Sequence, residues 1–290
     1  MYDCIGIGRA CLDILGVYHR FPKTDEKMKI KRIIIEGGGQ ASTALVVLSR
    51  LGLKVKFIGR IGKDLAGKFV LEKMKKEGID INDVIWEKET PLAMIFVSKS
   101  GKRTILYSSY EKLEPFEIDE RIVRKTRIML FDPQESETLL RNLDKIKSNG
   151  IKIVYDAEKK VKGIERVIRE VDYFIASSSF IKDYFGNMRV KDGIRKLIKM
   201  GGKFVCVTLG EKGSITFYKG KWIHVPAFKV KVVDTTGCGD TYHAGFIYGI
   251  LKGWDEVRSM KFASYLAGLC AEGLGGRETL PTFQSIKFDV

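Results

Sequence analysis

Short apolar runs recur along the chain, each followed by a longer stretch with apolar residues at i, i+3 and i+4. That alternation restricts the fold more than any other feature of the sequence. "YDCIGIG", "KVKFIGRIG", "RIMLFD", "IKIVYDA", "YFIAS" and "KFVCVTLG" read as short buried strands. "GQASTALVVLSRLG", "DLAGKFVLEKMKKEG", "ESETLLRNLDKIKSNG" and "VKDGIRKLIKMGG" read as amphipathic helices that stop at glycine. The pattern predicts an α/β fold: a doubly wound, mostly parallel central sheet with helices on both faces. Two stretches break the rhythm. "DILGVYHRFPKTDEKMKIKRIIIEGGG" and "PLAMIFVSKSGKRTILYSSY" place strands in succession with no helix between them. Strands of this kind leave the parallel sheet, and a small antiparallel β lid is expected from about residues 14–36 and 91–109. No internal repeat or long linker interrupts the chain, so residues 1–290 are expected to form one domain carrying that lid.

Composition narrows the class. No run long and apolar enough to span a bilayer is present, and the start "MYDCIGIGRACLDILG" has an acid and glycines where a leader has basic residues. A cytoplasmic protein without membrane contact is expected. Cys4, Cys11, Cys206, Cys238 and Cys270 form no CxxC pair, which points to reduced, partly buried thiols and away from zinc or disulfides. The formal charge of +15 raises nucleic acid as a partner, but the basic residues are spread at helical spacing and read better as solvated faces. A positive field also favours anionic small ligands such as nucleotides.

Three glycine patterns compete for a functional reading. In "GIGRAC", Cys11 stands where a dinucleotide fingerprint needs its third glycine. "GKDLAGKF" from Gly62 imitates a phosphate loop but ends in Phe69, without the hydroxyl that holds magnesium. "VDTTGCGDTYHAGF" is stronger: Gly237, Cys238, Gly239 and Asp240 precede a helix apolar enough to be buried. A helix start leaves N–H groups unpaired and carries about half a positive charge, so small residues there make an anion hole. Asp240 then reads either as an acidic residue stabilising the first turn or as a general base beside that hole.

This stretch resembles the C-terminal signature of the ribokinase-like (PfkB) carbohydrate kinases, D-T-x-G-x-G-D followed by an A-G pair. The N-terminal signature is matched by "EGGGQASTALVVLSRLG" and "IGRIGKDLAG", and the likeness covers essentially the whole chain. The resemblance implies ATP with magnesium, a β lid over a sugar, Asp240 as catalytic base, and Gly237, Cys238 and Gly239 as the anion hole. It further implies Asp13, Gly37, Gly38 and Ser42 at the sugar, with Ser42 where the family usually has Asn. Arg103 in the lid is read either as a substrate contact or as a solvated cation. On the nucleotide side the resemblance implies Thr208, Gly210, Gly213 and Ser264. Asp234 and Thr236 match positions that often hold a monovalent cation such as K+. The family's N-x-x-E motif is absent, with Ser177 and Phe180 at the matching places. Serine in place of that Asn is shared with ketohexokinase-like members, as is the "RTIL" lid segment, which tilts the acceptor toward a ketose.

The expected activity is transfer of the γ-phosphoryl group of ATP to a hydroxymethyl group of a ketose or ribose-like sugar. A nucleoside or sugar-phosphate acceptor keeps the same fold. A non-catalytic sugar- or nucleotide-binding regulator would follow from the missing carboxylate. The expected partners are the sugar and ATP, with pairing through the β lid giving a homodimer.

Overall fold

The first strand, β1 (Tyr2–Arg9), lies inside the main sheet, and only Ala10 separates it from β2 (Cys11–Tyr18) of a second sheet. No helix follows β1, so "GIGRAC" cannot place a helix N-terminus over a pyrophosphate. The computed structural model describes all residues except Ser100, Glu111, Lys112, Pro281, Asp289 and Val290; Ser100, inside the expected lid, and the last two residues of the expected domain thus lie outside the described residues.

The remaining strands are β3 (Ile33–Gly38), β4 (Val55–Gly62), β5 (Ile85–Glu87), β6 (Leu92–Ser98), β7 (Arg103–Tyr107), β8 (Thr126–Phe131), β9 (Lys152–Ala157), β10 (Tyr173–Ser177), β11 (Phe204–Thr208), β12 (Ser214–Tyr218) and β13 (Lys221–Val225). Nine of the thirteen strands among the described residues form the main sheet in the order β13-β12-β11-β10-β9-β8-β1-β4-β5. All neighbours from β5 to β11 are parallel, and β12 and β13 close that edge as an antiparallel hairpin. The six apolar runs read from the sequence are β1, β4, β8, β9, β10 and β11, all in the parallel part. The terminal hairpin, "SITFYKGKWIHV", escaped that reading because its residues are less uniformly apolar.

Helices cover both faces. On one side lie α1 (Gln40–Arg50), α2 (Leu65–Lys76), α8 (Cys238–Leu251) and α9 (Glu256–Cys270), which share one apolar core. On the other lie α3 (Glu120–Val123), α4 (Ser136–Ser148), α5 (Ile164–Glu170), α6 (Ser178–Phe185) and α7 (Val190–Lys199), around a second core. Helix α8 is buried almost throughout, as its apolar sequence predicts. The imitation phosphate loop is a packing device: Asp64 caps α2 by accepting from the Gly67 amide, 2.7 Å away.

The second sheet has the order β3-β2-β6-β7. It is antiparallel within the β2–β3 and β6–β7 pairs, and a parallel seam joins β2 to β6. Leu15, Ala93, Ile95 and Val97 on one face pack with Leu274. Ile33, Ile35, Leu92, Met94 and Leu106 remain exposed. All five cysteines are free thiols. No helix among the described residues is long and apolar enough to cross a membrane.

Phe246 anchors α8 to the sheet, with its ring 5.2 Å from Tyr173 and 5.5 Å from Phe204, and no exposed surface. Phe246→Ala is expected to lower stability by about 3–5 kcal/mol, from lost burial plus the cavity left behind. Urea unfolding of both proteins checks this; a shift below about 1 kcal/mol would show that the contact is dispensable.

Candidate active site

Gly237 starts α8 in the left-handed region, at φ 75°, which an L side chain tolerates poorly. A Cβ there would also lie 2.5 Å from the Gly276 Cα, so this glycine is required by packing. Gly239 is small for a different reason: a Cβ on it would meet nothing within 4 Å, and the helix start faces open space. The amides of Gly239 and Asp240 donate to no acceptor among the described residues, and no side chain caps the helix. Unpaired amides, a helix dipole and open space together make an anion site.

The half-buried Asp240 carboxylate makes no hydrogen bond with any described residue. Burial pushes its pKa well above the ordinary carboxylate range, and Asp156 and Glu158 push further, while Arg103 opposes them. Arg103 reaches across from β7 and donates to Thr235 Oγ1 at 2.5 Å. This exposed lid cation therefore sits against the loop that leads into the anion site, a placement its sequence context left open.

Asp13 and the glycine pair form the other wall. A Cβ on Gly38 would fall 2.0 Å from Asp13 Oδ2, and one on Gly37 would fall 2.6 Å from Arg277 Nη1. The pair is glycine because a carboxylate and a guanidinium lie over it. Asp13 is only 7% exposed and accepts the Cys11 thiol at 3.1 Å; burial raises its pKa, and Cys11, Arg277 and Arg9 hold it down. Ser42 donates to Gly38 O at 2.7 Å and accepts from Arg277 Nη2 at 2.5 Å. Its hydroxyl is thus engaged by protein. Glu36, on the same strand, accepts from the Gly276 amide at 2.8 Å and is pushed up to about 7, chiefly by burial.

Of the residues expected at the nucleotide, Ser177, Thr208, Gly210 and Gly213 lie at or just past the carboxyl ends of β10 and β11, where ligands of open parallel sheets bind. Ser177 pairs directly with Thr208 across these strands. Ser177 also caps α6, accepting from the Phe180 amide at 3.1 Å, and Phe180 is fully buried. Gly210 and Gly213 close the turn after β11 at positive φ. Ser264 is not beside them in the same sense: it is buried and donates to Pro226 O at 2.8 Å. Asp234 and Thr236, expected at a monovalent cation, bond each other: Asp234 Oδ1 accepts the Thr236 amide and hydroxyl, both at 2.9 Å.

Sequence reasoning missed three groups. Asp156 and Glu158 end β9 and follow it, and their charges reach Asp240. Asp156 accepts from Gln40 at 3.0 Å and faces His243 Nε2 at 3.6 Å. The signal was available: "YDAEKK" places two carboxylates at and just past the end of a central parallel strand. Arg277 carried no such signal, because nothing in "GLGGRETLP" shows that the chain returns to Gly37. For magnesium, no group of three or more side-chain ligands occurs among the described residues. The carboxylates near Asp240 fit an ion held mainly by phosphates and water.

Comparison with known proteins identifies the family. Residues 1–283 match the pfkB family carbohydrate kinase pattern. An enzyme named 5-dehydro-2-deoxygluconokinase from Clostridium perfringens is 27% identical, over 99% of this chain and 92% of its own. An uncharacterized sugar kinase of Archaeoglobus fulgidus is 31% identical, over 81% of this chain and 98% of its own. Among solved structures, the ribokinase of Thermotoga maritima superposes with a TM-score of 0.82 at 25% identity, covering 98% of both chains. The Arabidopsis thaliana ribokinase, solved with ribose and ATP, gives 0.83 at 24% identity, covering 98% of this chain and 97% of that one. The chain belongs to the pfkB family of carbohydrate kinases and is an ATP-dependent sugar kinase.

Proposed function

We propose that the protein transfers the γ-phosphoryl group of ATP to a hydroxymethyl group of a sugar, with Asp240 as general base. The observation that carries this reading is a carboxylate and two amides without a hydrogen-bond partner among the described residues, at a helix N-terminus that faces open space. Asp240 accepts the hydroxyl proton as the oxygen attacks the γ-phosphorus, and the bond from that phosphorus to the bridging oxygen breaks to release ADP. The start of α8 at Gly237, Cys238 and Gly239 stabilises the charge on the transferring group. The raised pKa makes Asp240 a stronger base than an ordinary carboxylate, provided it is ionised. Asp13 accepts sugar hydroxyls, with Gly37, Gly38 and Ser42 shaping the floor beneath them. Ser177, Thr208, Gly210, Gly213 and Ser264 border the nucleotide. Magnesium would be held mainly by phosphates and water near Asp156 and Glu158, and would neutralise charge on the nucleotide. The second sheet acts as a lid whose closure excludes water, the competing acceptor, and the enzyme works in the cytoplasm.

The bare face of the lid supports a homodimer. Ile35 and Met94 both pair with Ile14 of β2, and Leu106 pairs with Met94, so these side chains form one apolar surface across the strands. A contiguous apolar surface of this kind favours self-association. The named relatives make 5-dehydro-2-deoxygluconate one candidate acceptor among sugars.

Asp240→Asn is expected to lower kcat at least about a hundredfold while ATP binding and the urea midpoint stay near wild type. Near-normal turnover would overturn the mechanism. Because Asp240 acts ionised and its pKa is raised, the acid limb of kcat against pH is expected above the range of an ordinary carboxylate, about 4. Arg103 lowers that pKa, so Arg103→Gln is expected to move the limb to higher pH; movement to lower pH contradicts the assignment. For the dimer, Met94→Glu is expected to give a monomer in sedimentation equilibrium where wild type gives a dimer.

A further inference from the structure

Arg277 is 7% exposed, and every acceptor it meets is neutral. Its Nη2 donates to Ser42 Oγ at 2.5 Å, Thr43 Oγ1 at 3.2 Å and Gly38 O at 3.5 Å. Its Nε reaches Thr43 Oγ1 at 3.4 Å. Nη1 donates to nothing among the described residues, yet it is not one of the unpartnered atoms sealed from solvent. Among the described residues no carboxylate lies within ion-pair distance of the guanidinium. Asp13, Glu36 and Asp240 all act on it electrostatically from farther away.

A nearly buried cation with only neutral partners is costly, and an anion that fits its free N–H groups recovers that cost. The free nitrogen opens beside Gly37, next to Asp13, within electrostatic reach of Asp240. We propose that Arg277 is a specificity-determining residue that binds an anionic group on the acceptor sugar, and that the group is a carboxylate. The acceptor is then a sugar acid, oriented with hydroxyls toward Asp13 and its hydroxymethyl group toward Asp240. The inference rests on the sugar-kinase reading above and narrows its substrate class.

Two features select a carboxylate over a phosphate. Only one nitrogen, with its two N–H groups, is free, which suits a small planar anion. Asp13 and Glu36 flank the site, and a dianion would meet more repulsion from them than a monoanion. Ser42 fits the same reading: at 2.5 Å from Nη2, a longer side chain at this position would displace the guanidinium.

The test measures kcat/KM with ATP and magnesium for D-gluconate, 2-keto-D-gluconate and 5-keto-D-gluconate. D-fructose and D-ribose serve as neutral acceptors, and D-fructose 6-phosphate as the phosphorylated one. Wild type is expected to prefer a sugar acid over its neutral counterparts at least about a hundredfold, mostly through KM. In Arg277→Gln the ratio of acid to neutral kcat/KM is expected to collapse by a similar factor, and Arg277→Lys to restore part of it. A wild-type preference for neutral sugars, or for the sugar phosphate, overturns the proposal even if Arg277→Gln does not fold. An equal loss on acids and neutral sugars in a folded Arg277→Gln, with the ratio intact, also overturns it. Thermal shift with each acid, without ATP, separates this inference from the catalytic one. Stabilisation by an acid that survives in Asp240→Asn and vanishes in Arg277→Gln supports Arg277 whatever the turnover of Asp240→Asn. Loss in Asp240→Asn with retention in Arg277→Gln sinks it.

Discussion

The Asp234 carboxylate, with no exposed surface, fixes the arrangement on which the site depends. One oxygen holds the Thr236 amide and hydroxyl, and the other accepts the Gly275 amide at 2.9 Å. Two loops far apart in sequence are thereby pinned together. One leads into α8 and sets the left-handed Gly237 that starts it; the other carries Gly276 and Arg277. Carboxylate bonds to three donors in a dry site are stronger than neutral ones, and their geometry is correspondingly narrow. The Gly276 amide then binds Glu36 on β3, so the same chain segment reaches the second sheet. The start of α8 and the segment carrying Arg277 are positioned from one buried group.

Electrostatics across the cleft follow from burial. Asp13, Glu36, Asp156 and Asp240 are all shifted upward, in each case chiefly by loss of solvent. Arg277, nearly sealed, counters the shifts of Asp13 and Glu36, and Arg103, exposed on the second sheet, counters that of Asp240. A cleft lined this way discriminates by sign of charge, because a misplaced acid or base meets little water to screen it.

The parallel strands and main helices were legible because buried parallel strands are continuously apolar and amphipathic helices repeat every 3.6 residues. The β12–β13 hairpin was not, since Lys219, Lys221 and Tyr218 interrupt its apolar content at a sheet edge. The helix start at Gly237 was legible because small residues ahead of an apolar helical stretch are a local signature. The placement of Arg277 was not, because it arises from proximity to Gly37, 240 positions away in the chain, and tertiary proximity leaves no trace in spacing. Ser42 shows the intermediate case: the sequence exposed the shortened side chain, and only the structure supplied its occupant, the Arg277 guanidinium.

Ala10 alone separates the scaffold strand β1 from the strand that carries Asp13. The connection has no slack, so β2 cannot swing without dragging the Asp13 carboxylate along an arc centred near Ala10. On the proposed function, a sugar held by Asp13 travels with the second sheet toward Asp240. The gap between those two carboxylates is a built-in gauge of closure, readable by a pair of labels placed on β2 and α8.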